Sequence, residues 1–422
     1  MTGARTSAAT TDLHRVWDRV PDGSTVFVAG SCGTPRALVD AMAAAADHWT
    51  ALRLVTPYLY EPLAVFGRAG APFRFLSLHP TPVWRDVDPA FVDLRPLPFS
   101  AYSRVFGTSL PIDVAVVQVT PPGADGRVSL GPSVGSVLGA IGAAALVVAQ
   151  VNPQVPYIHG DGQLCPDARW LLVDAESALI EAPAGARNAA LDAMGANAAA
   201  LVENGSTVQF GVGAAPAAVT TALSGHRGLV LHGGLCTPEV AALMDAGVVQ
   251  GEAVAAELVG DRAVFEWADH HPALRLVAPA RSHGAEALGS LDRFVAVNSV
   301  VEVALDGSAN AEHLNGRRVS GPGGLPDFVS AALRSPWGRS ILALPASARD
   351  ASRVVETLAA GTTTLPAWMA DAVVTEHGVA LLRDLDLAER ASTLVDVADP
   401  RFRPALRPPR TAERRSDPER GG

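Results

Sequence analysis

The chain contains no lysine. Arginine supplies every basic side chain, which removes Schiff-base chemistry, a lysine general base and a phosphate-loop lysine from consideration. Basic residues total 33 against 43 acids, a net charge of −10 that argues against a general nucleic-acid coating. Cysteine is scarce too. Cys32, Cys165 and Cys236 lie far apart with no CxxC spacing, so neither a disulfide framework nor a cysteine zinc site is expected, and the reducing cytoplasm is the expected compartment. Long apolar runs are missing: the longest, Val137 to Ala149, falls short of the roughly 18 residues that a membrane helix needs. The first twenty residues lack the apolar segment of a signal peptide. Metalloprotease, nucleophile-elbow, EF-hand and Walker motifs are all absent, and no metal is expected. Asp269-His270-His271-Pro272 reads as a solvated loop, because adjacent histidines point to different sides, and Arg262 and Glu266 read as surface charges.

What is present is apolar and periodic. The 422 residues are 48% hydrophobic, enough for two domains with cores of their own. Short apolar runs alternate with alanine-rich helical stretches: STVFVAG before PRALVDAMAAAA, STVQFGVG before APAAVTTAL, then ALVVAQVN, RSILALPA and DAVVTEHG. Runs that are apolar throughout predict parallel strands buried on both faces, hence an α/β fold of open, mainly parallel sheets. The sequence also echoes itself. Gly23-Ser24-Thr25-Val26 and Gly205-Ser206-Thr207-Val208 each open a strand, a glycine turn and a helix, and the segments 112–131 and 294–316 each carry a strand and then an Asp-Gly turn, Asp125-Gly126 and Asp306-Gly307. Two echoes in the same order imply two similar α/β domains, 1–190 and 191–405, split near 185–195. The stretch 406–422, rich in arginine and proline, is expected to be a disordered tail.

Two glycine loops stand out. Gly211-Val212-Gly213-Ala214-Ala215-Pro216 lies between a strand and a helix, where backbone amides and a positive helix end suit a phosphate. A plain βα turn explains the same residues. The loop lacks the third glycine of a dinucleotide fingerprint, which disfavours an NAD site. Ser320-Gly321-Pro322-Gly323-Gly324 leads into a second helix, and two such loops suggest a long, phosphate-bearing ligand.

Together these segments resemble the acetyl-CoA hydrolase/transferase family of class I CoA-transferases, over roughly residues 20 to 405. The resemblance rests on AGSCGTPRALVDAM, DVAVVQVTPPGADGRVSLGPSV, VAQVNPQVPYIHGD, GSTVQFGVGAAP, NSVVEVALDGSANAE, SGPGGLPDF, DAVVTEHGVALLR and VADPRFR. It implies an enzyme that moves coenzyme A between an acyl-CoA and a carboxylate, or hydrolyses the thioester, with CoA as substrate and a small carboxylate as partner. Gly211, Val212, Gly213, Ala214 and Ala215 would sit against CoA. Gly323 and Gly324 would line the thioester pocket, and Asn298 and Glu376 fall on motif positions near the active site. A homodimer is implied, or a hetero-oligomer with a glutamate-bearing paralogue.

In this family a glutamate attacks the acyl-CoA and carries CoA as a thioester. The resemblance aligns His232 with a family histidine and puts Gly234 where that glutamate belongs. Glu239 is explained as a first-turn acid behind Thr237 and Pro238. Cys236, just before that helix, is a candidate nucleophile if the helix end lowers its pKa and otherwise a buried inert thiol, and Glu376 is a candidate for activating water or an ion-paired structural acid. A transferase or hydrolase working by an altered route, a non-catalytic acyl-CoA-binding homologue, and an acyltransfer enzyme using Cys236 all remain open. A second departure is Leu382-Arg383-Asp384, where relatives carry Arg-Gly-Lys and a contact to CoA phosphate is expected to be lost.

Overall fold

The computed structural model describes residues 9–66 and 71–406. Two sheets organise it. The first has eight strands, all paired in parallel; Thr25–Val28, Val114–Val119, Leu146–Val151 and Trp170–Asp174 follow one another across it, with Leu52–Thr56 on the other side of Thr25–Val28. The second has six strands, with Thr207–Phe210, Phe294–Ser299, Arg339–Ala343 and Ala372–Thr375 in the same relative order and Val230–Leu231 beyond Thr207–Phe210. Only the hairpin of Ala372–Thr375 with Gly378–Leu381 is antiparallel in that sheet. Both echoes noted in the sequence therefore hold neighbouring parallel strands, Thr25–Val28 beside Val114–Val119 and Thr207–Phe210 beside Phe294–Ser299.

The strands are apolar throughout because both of their faces are covered. Ala115 and Val117 point into one buried cluster, Val114 and Val116 into another on the opposite face. The first of these clusters runs through both sheets, joining Phe27 and Val117 to Val208, Val297 and Ile341. The stretch between Asp174 and Asn188 has no regular structure, and Asn188 caps the helix Ala189–Ala199 by accepting from Leu191 N–H. The division expected at 190/191 thus falls at the start of this helix. The tail expected from 406 onward lies, beyond Leu406, outside the described residues.

The two Asp-Gly turns lead into different pairings. Gly126 and Gly307 both take positive φ, at 77° and 94°. Asp306-Gly307 closes a hairpin between Glu302–Ala304 and Ala309–Asn310, whereas Val128–Ser129 leaves its own sheet's strand and pairs with Gln163–Leu164. Among the described residues no helix is long and apolar enough to cross a membrane.

Candidate active site

A cavity of about 350 Å³ opens where loops from the two sheets meet. Five of the residues singled out in the sequence line it: Gly211, Val212, Asn298, Gly323 and Gly324, and Gly234 joins them. Gly213, Ala214 and Ala215 do not line it; they cap and begin the helix Ala214–Ala222. The amide of Gly211 is not free for a ligand, since it donates to Val297 O at 2.8 Å. Asn298 exchanges amide hydrogen bonds with Gln209 across the two adjacent strands, at 3.1 and 3.4 Å.

The loop at 320–324 is held against the first half of the chain. Phe99 N–H donates to Gly323 O (2.9 Å), Ser100 Oγ donates to Asp327 Oδ1 (2.8 Å), and His79 Nε2 lies 3.1 Å from Ser320 Oγ. This brings bare backbone to the cavity wall at the start of the helix Leu325–Arg334, where amide groups lack intrahelical partners.

Glu257 is a buried carboxylate on the cavity wall that the sequence reading missed. It stands in an apolar run, Ala253 to Val259, on the short strand Glu257–Leu258 that pairs with Leu235–Cys236. The Gly234 carbonyl accepts from both Ala256 N–H and Glu257 N–H at 3.0 Å, so the carboxylate enters the cavity from the strand beside Gly234. Ser133 Oγ donates to Glu257 Oε2 at 2.7 Å, from the opposite half of the chain. Burial pushes the Glu257 carboxyl up to about 8, against hydrogen bonds from Ser133 and Ser31 that pull it down. Ser31 is itself buried and holds a left-handed φ of 56°, a conformation uncommon outside glycine and concentrated at functional sites.

A side chain at position 234 would begin in tight contact with His283. A Cβ there would lie 3.1 Å from His283 Nε2 and 3.6 Å from the Phe328 ring. His283 is buried and its imidazole is held neutral, its pKa pushed down to about 3 by desolvation and, to a smaller extent, by His232. His232 is also shifted down by burial, and its Nε2 has no hydrogen-bond partner.

Cys236 requires correction as a candidate nucleophile. Its thiol is fully buried in the shared core, does not line the cavity, and is pushed up to about 12 by desolvation. Burial outweighs the helix end, and the thiol stays protonated. Glu239 does what its position suggests: it accepts from Thr237 Oγ1 at 2.7 Å, while Thr237 caps the helix Pro238–Asp245. Glu376 does not line the cavity; its Oε2 accepts from Ala346 N–H at 2.8 Å. Arg383, in the departing segment, is committed to the fully buried Asp371, donating at 3.1 and 2.9 Å. His270 stacks on Tyr157 and His271 on Trp267, so the adjacent histidines do diverge.

Comparison with known proteins supplies the family. Residues 10–180 match the acetyl-CoA hydrolase/transferase N-terminal domain and residues 260–409 the C-terminal domain. The 4-hydroxybutyrate coenzyme A transferase of Clostridium kluyveri is 30% identical over 403 residues, 92% of this chain and 94% of that one. The chain belongs to the acetyl-CoA hydrolase/transferase family. A second relative of this family, the succinyl-CoA:cyclohexane-1-carboxylate CoA transferase of Geobacter metallireducens, is 30% identical over 331 residues, 76% of each chain. Among solved structures, RipA from Yersinia pestis superposes with a TM-score of 0.87 at 25% identity, covering 94% of this chain and 96% of that one. The 4-hydroxybutyrate CoA-transferase of Porphyromonas gingivalis gives a TM-score of 0.77 at 28% identity with the same coverage.

Proposed function

We propose that this protein is an acyl-CoA:carboxylate CoA-transferase in which Glu257, rather than a residue at position 234, carries the CoA. The observation that carries this reading is a single buried carboxylate on the cavity wall, hydrogen-bonded through its backbone to Gly234 and through its side chain to Ser133. Relatives named for transfer between an acyl-CoA and a carboxylate favour transfer over hydrolysis. The Gly211–Val212 side of the cavity takes the CoA arm, and Gly323 and Gly324 face the thioester.

In the reaction, a Glu257 carboxylate oxygen attacks the thioester carbonyl. The carbon–sulfur bond breaks, CoA leaves as thiolate, and an acyl-glutamyl anhydride remains. The thiolate then attacks the glutamyl carbonyl, releasing the first carboxylate and leaving a glutamyl-CoA thioester. The acceptor carboxylate repeats both steps in reverse, and no net proton is consumed. Desolvation that raises the pKa of Glu257 also makes its ionised form a stronger nucleophile. Ser133 positions it. Backbone amides around the glycine loop are suited to meet the oxyanion.

The test is to mix the protein with butyryl-CoA or acetyl-CoA and follow its mass. A covalent CoA adduct mapped to the peptide bearing Glu257 is expected, and Glu257→Ala should lose both the adduct and CoA exchange by about three powers of ten or more. An adduct on a different residue, or exchange unchanged in Glu257→Ala, overturns the assignment.

A further inference from the structure

Transfer uses one carbonyl of the acyl group; the rest of that group must be received by the wall around Glu257. That wall is aromatic. On one side Tyr60 meets Tyr58 edge-on with ring centroids 4.9 Å apart, and Tyr58 meets His79 at 5.3 Å. On the other, Tyr102 contacts Phe99 at 5.1 Å, Phe99 contacts His283 at 4.5 Å, and His283 contacts Phe328 at 4.5 Å. Tyr60, Tyr102 and Glu257 line the same cavity; burial shifts the two hydroxyls upward, and the Glu257 charge adds a smaller contribution to each.

The cavity holds no counter-charge for a second anionic group. Among the described residues no arginine lines it, and the chain has no lysine to offer. Of the two histidines on the wall, His283 is buried and His79 half-buried, and desolvation holds both neutral, with the pKa of His79 pushed down to about 4 and that of His283 to about 3. Remaining polar groups are hydroxyls and amides such as Ser136, Gln209 and Ser299, which can hydrogen-bond a neutral substituent but cannot balance a charge. A distal carboxylate would lose its hydration in this cavity with no cation on the wall to balance it.

We infer that the acyl groups handled here are those of monocarboxylic acids with an uncharged, apolar body, ring-bearing ones foremost, and that dicarboxylic acids are excluded by the wall formed by Tyr58, Tyr60, His79, Phe99, His283 and Phe328. This inference rests on the Glu257 reading for the chemistry and adds the substrate class. Ring faces and edges at these spacings offer offset and edge-to-face contacts to a planar ring that an aliphatic chain of equal size does not reproduce.

The experiment compares single-turnover formation of the glutamyl-CoA adduct from phenylacetyl-CoA, benzoyl-CoA, butyryl-CoA, succinyl-CoA and glutaryl-CoA. Direct titration of the wild type with phenylacetate, benzoate and succinate runs beside it, so that binding is read independently of turnover. Adduct formation from the monocarboxylic thioesters, on the order of a hundredfold faster than from succinyl-CoA and glutaryl-CoA, is the expected result. Tyr58→Arg, which places a guanidinium on the wall, should shift that ratio toward succinyl-CoA by about tenfold or more. Equal or faster reaction with the dicarboxylic thioesters, or equal binding of succinate and benzoate, overturns the substrate class. An adduct on a residue other than Glu257, with the ring-acid preference intact in the titration, would instead overturn the nucleophile and leave the substrate class standing.

Discussion

Between its ordinary value of 4.5 and about 8, Glu257 keeps its proton in the folded protein and has lost it in the unfolded chain. The folded state then binds more protons than the unfolded one, so this group's contribution to stability falls as pH rises through that window. Glutamine at the same place has no proton to lose. Glu257→Gln should therefore gain stability relative to the wild type between pH 5 and pH 8.5, by several kcal/mol, since each tenfold change in proton affinity is worth about 1.4 kcal/mol. Urea denaturation of both proteins at the two pH values reads the difference, in which the remaining titratable groups largely cancel. A gap that stays constant or closes would show that Glu257 is not held protonated by its surroundings. The sequence did carry a signal for this residue. One acid inside the run Ala253 to Val259 is costly to bury, and a costly buried acid marks a site before it marks a fold. Reading outward from the aligned segment 232–239 misses it, because the two residues that share the cavity, Gly234 and Glu257, meet through strand pairing between positions 23 residues apart.

At the scale of elements, the strands and their burial on both faces were legible, and the direction in which short elements present their residues was not. Apolar runs with no polar alternation predict strands covered on both faces, and Thr25–Val28 and Phe294–Ser299 are so covered. The low-pKa thiolate considered for Cys236 fails on that directional point, and the buried inert thiol holds. A helix begins two residues later, yet the strand Leu235–Cys236 turns the thiol into the core and Leu235 toward the cavity. The same strand sets the outcome of Gly234→Glu, the substitution that the family resemblance suggests as a repair. Its Cβ would already crowd His283, which must give by a few tenths of an ångström, and the carboxylate beyond it would share the cavity with Glu257. Crowding of this kind costs about 1–3 kcal/mol, so the variant should melt lower than wild type and exchange CoA more slowly. Measured exchange above the wild-type rate would mean that position 234, and not 257, is where this scaffold wants its nucleophile.

Across the whole molecule the two halves are joined where the chemistry is proposed. Ser133 holds Glu257, Ser100 holds Asp327, Phe99 holds Gly323, and beneath these contacts one apolar cluster passes from Phe27 and Val117 to Val208 and Val297. Separating the halves would expose that shared cluster and leave Asp327 and Glu257, both shifted upward by burial, without their serine donors. On the proposed reading substrate enters without the halves parting, past the loop whose cavity-lining Val212 is 46% exposed. Calorimetry provides the check: a single unfolding transition is expected, and coenzyme A added at a hundred times its dissociation constant should move the whole of it upward, by the equivalent of about 2.7 kcal/mol. Two resolved transitions, with only the later half of the chain stabilised by CoA, would show instead that the halves are independent and that the cavity between them opens by hinge motion. A single shifted transition ties the shared core to the site, because the contacts that place Glu257 against Ser133 are then the same ones that keep the sheets together.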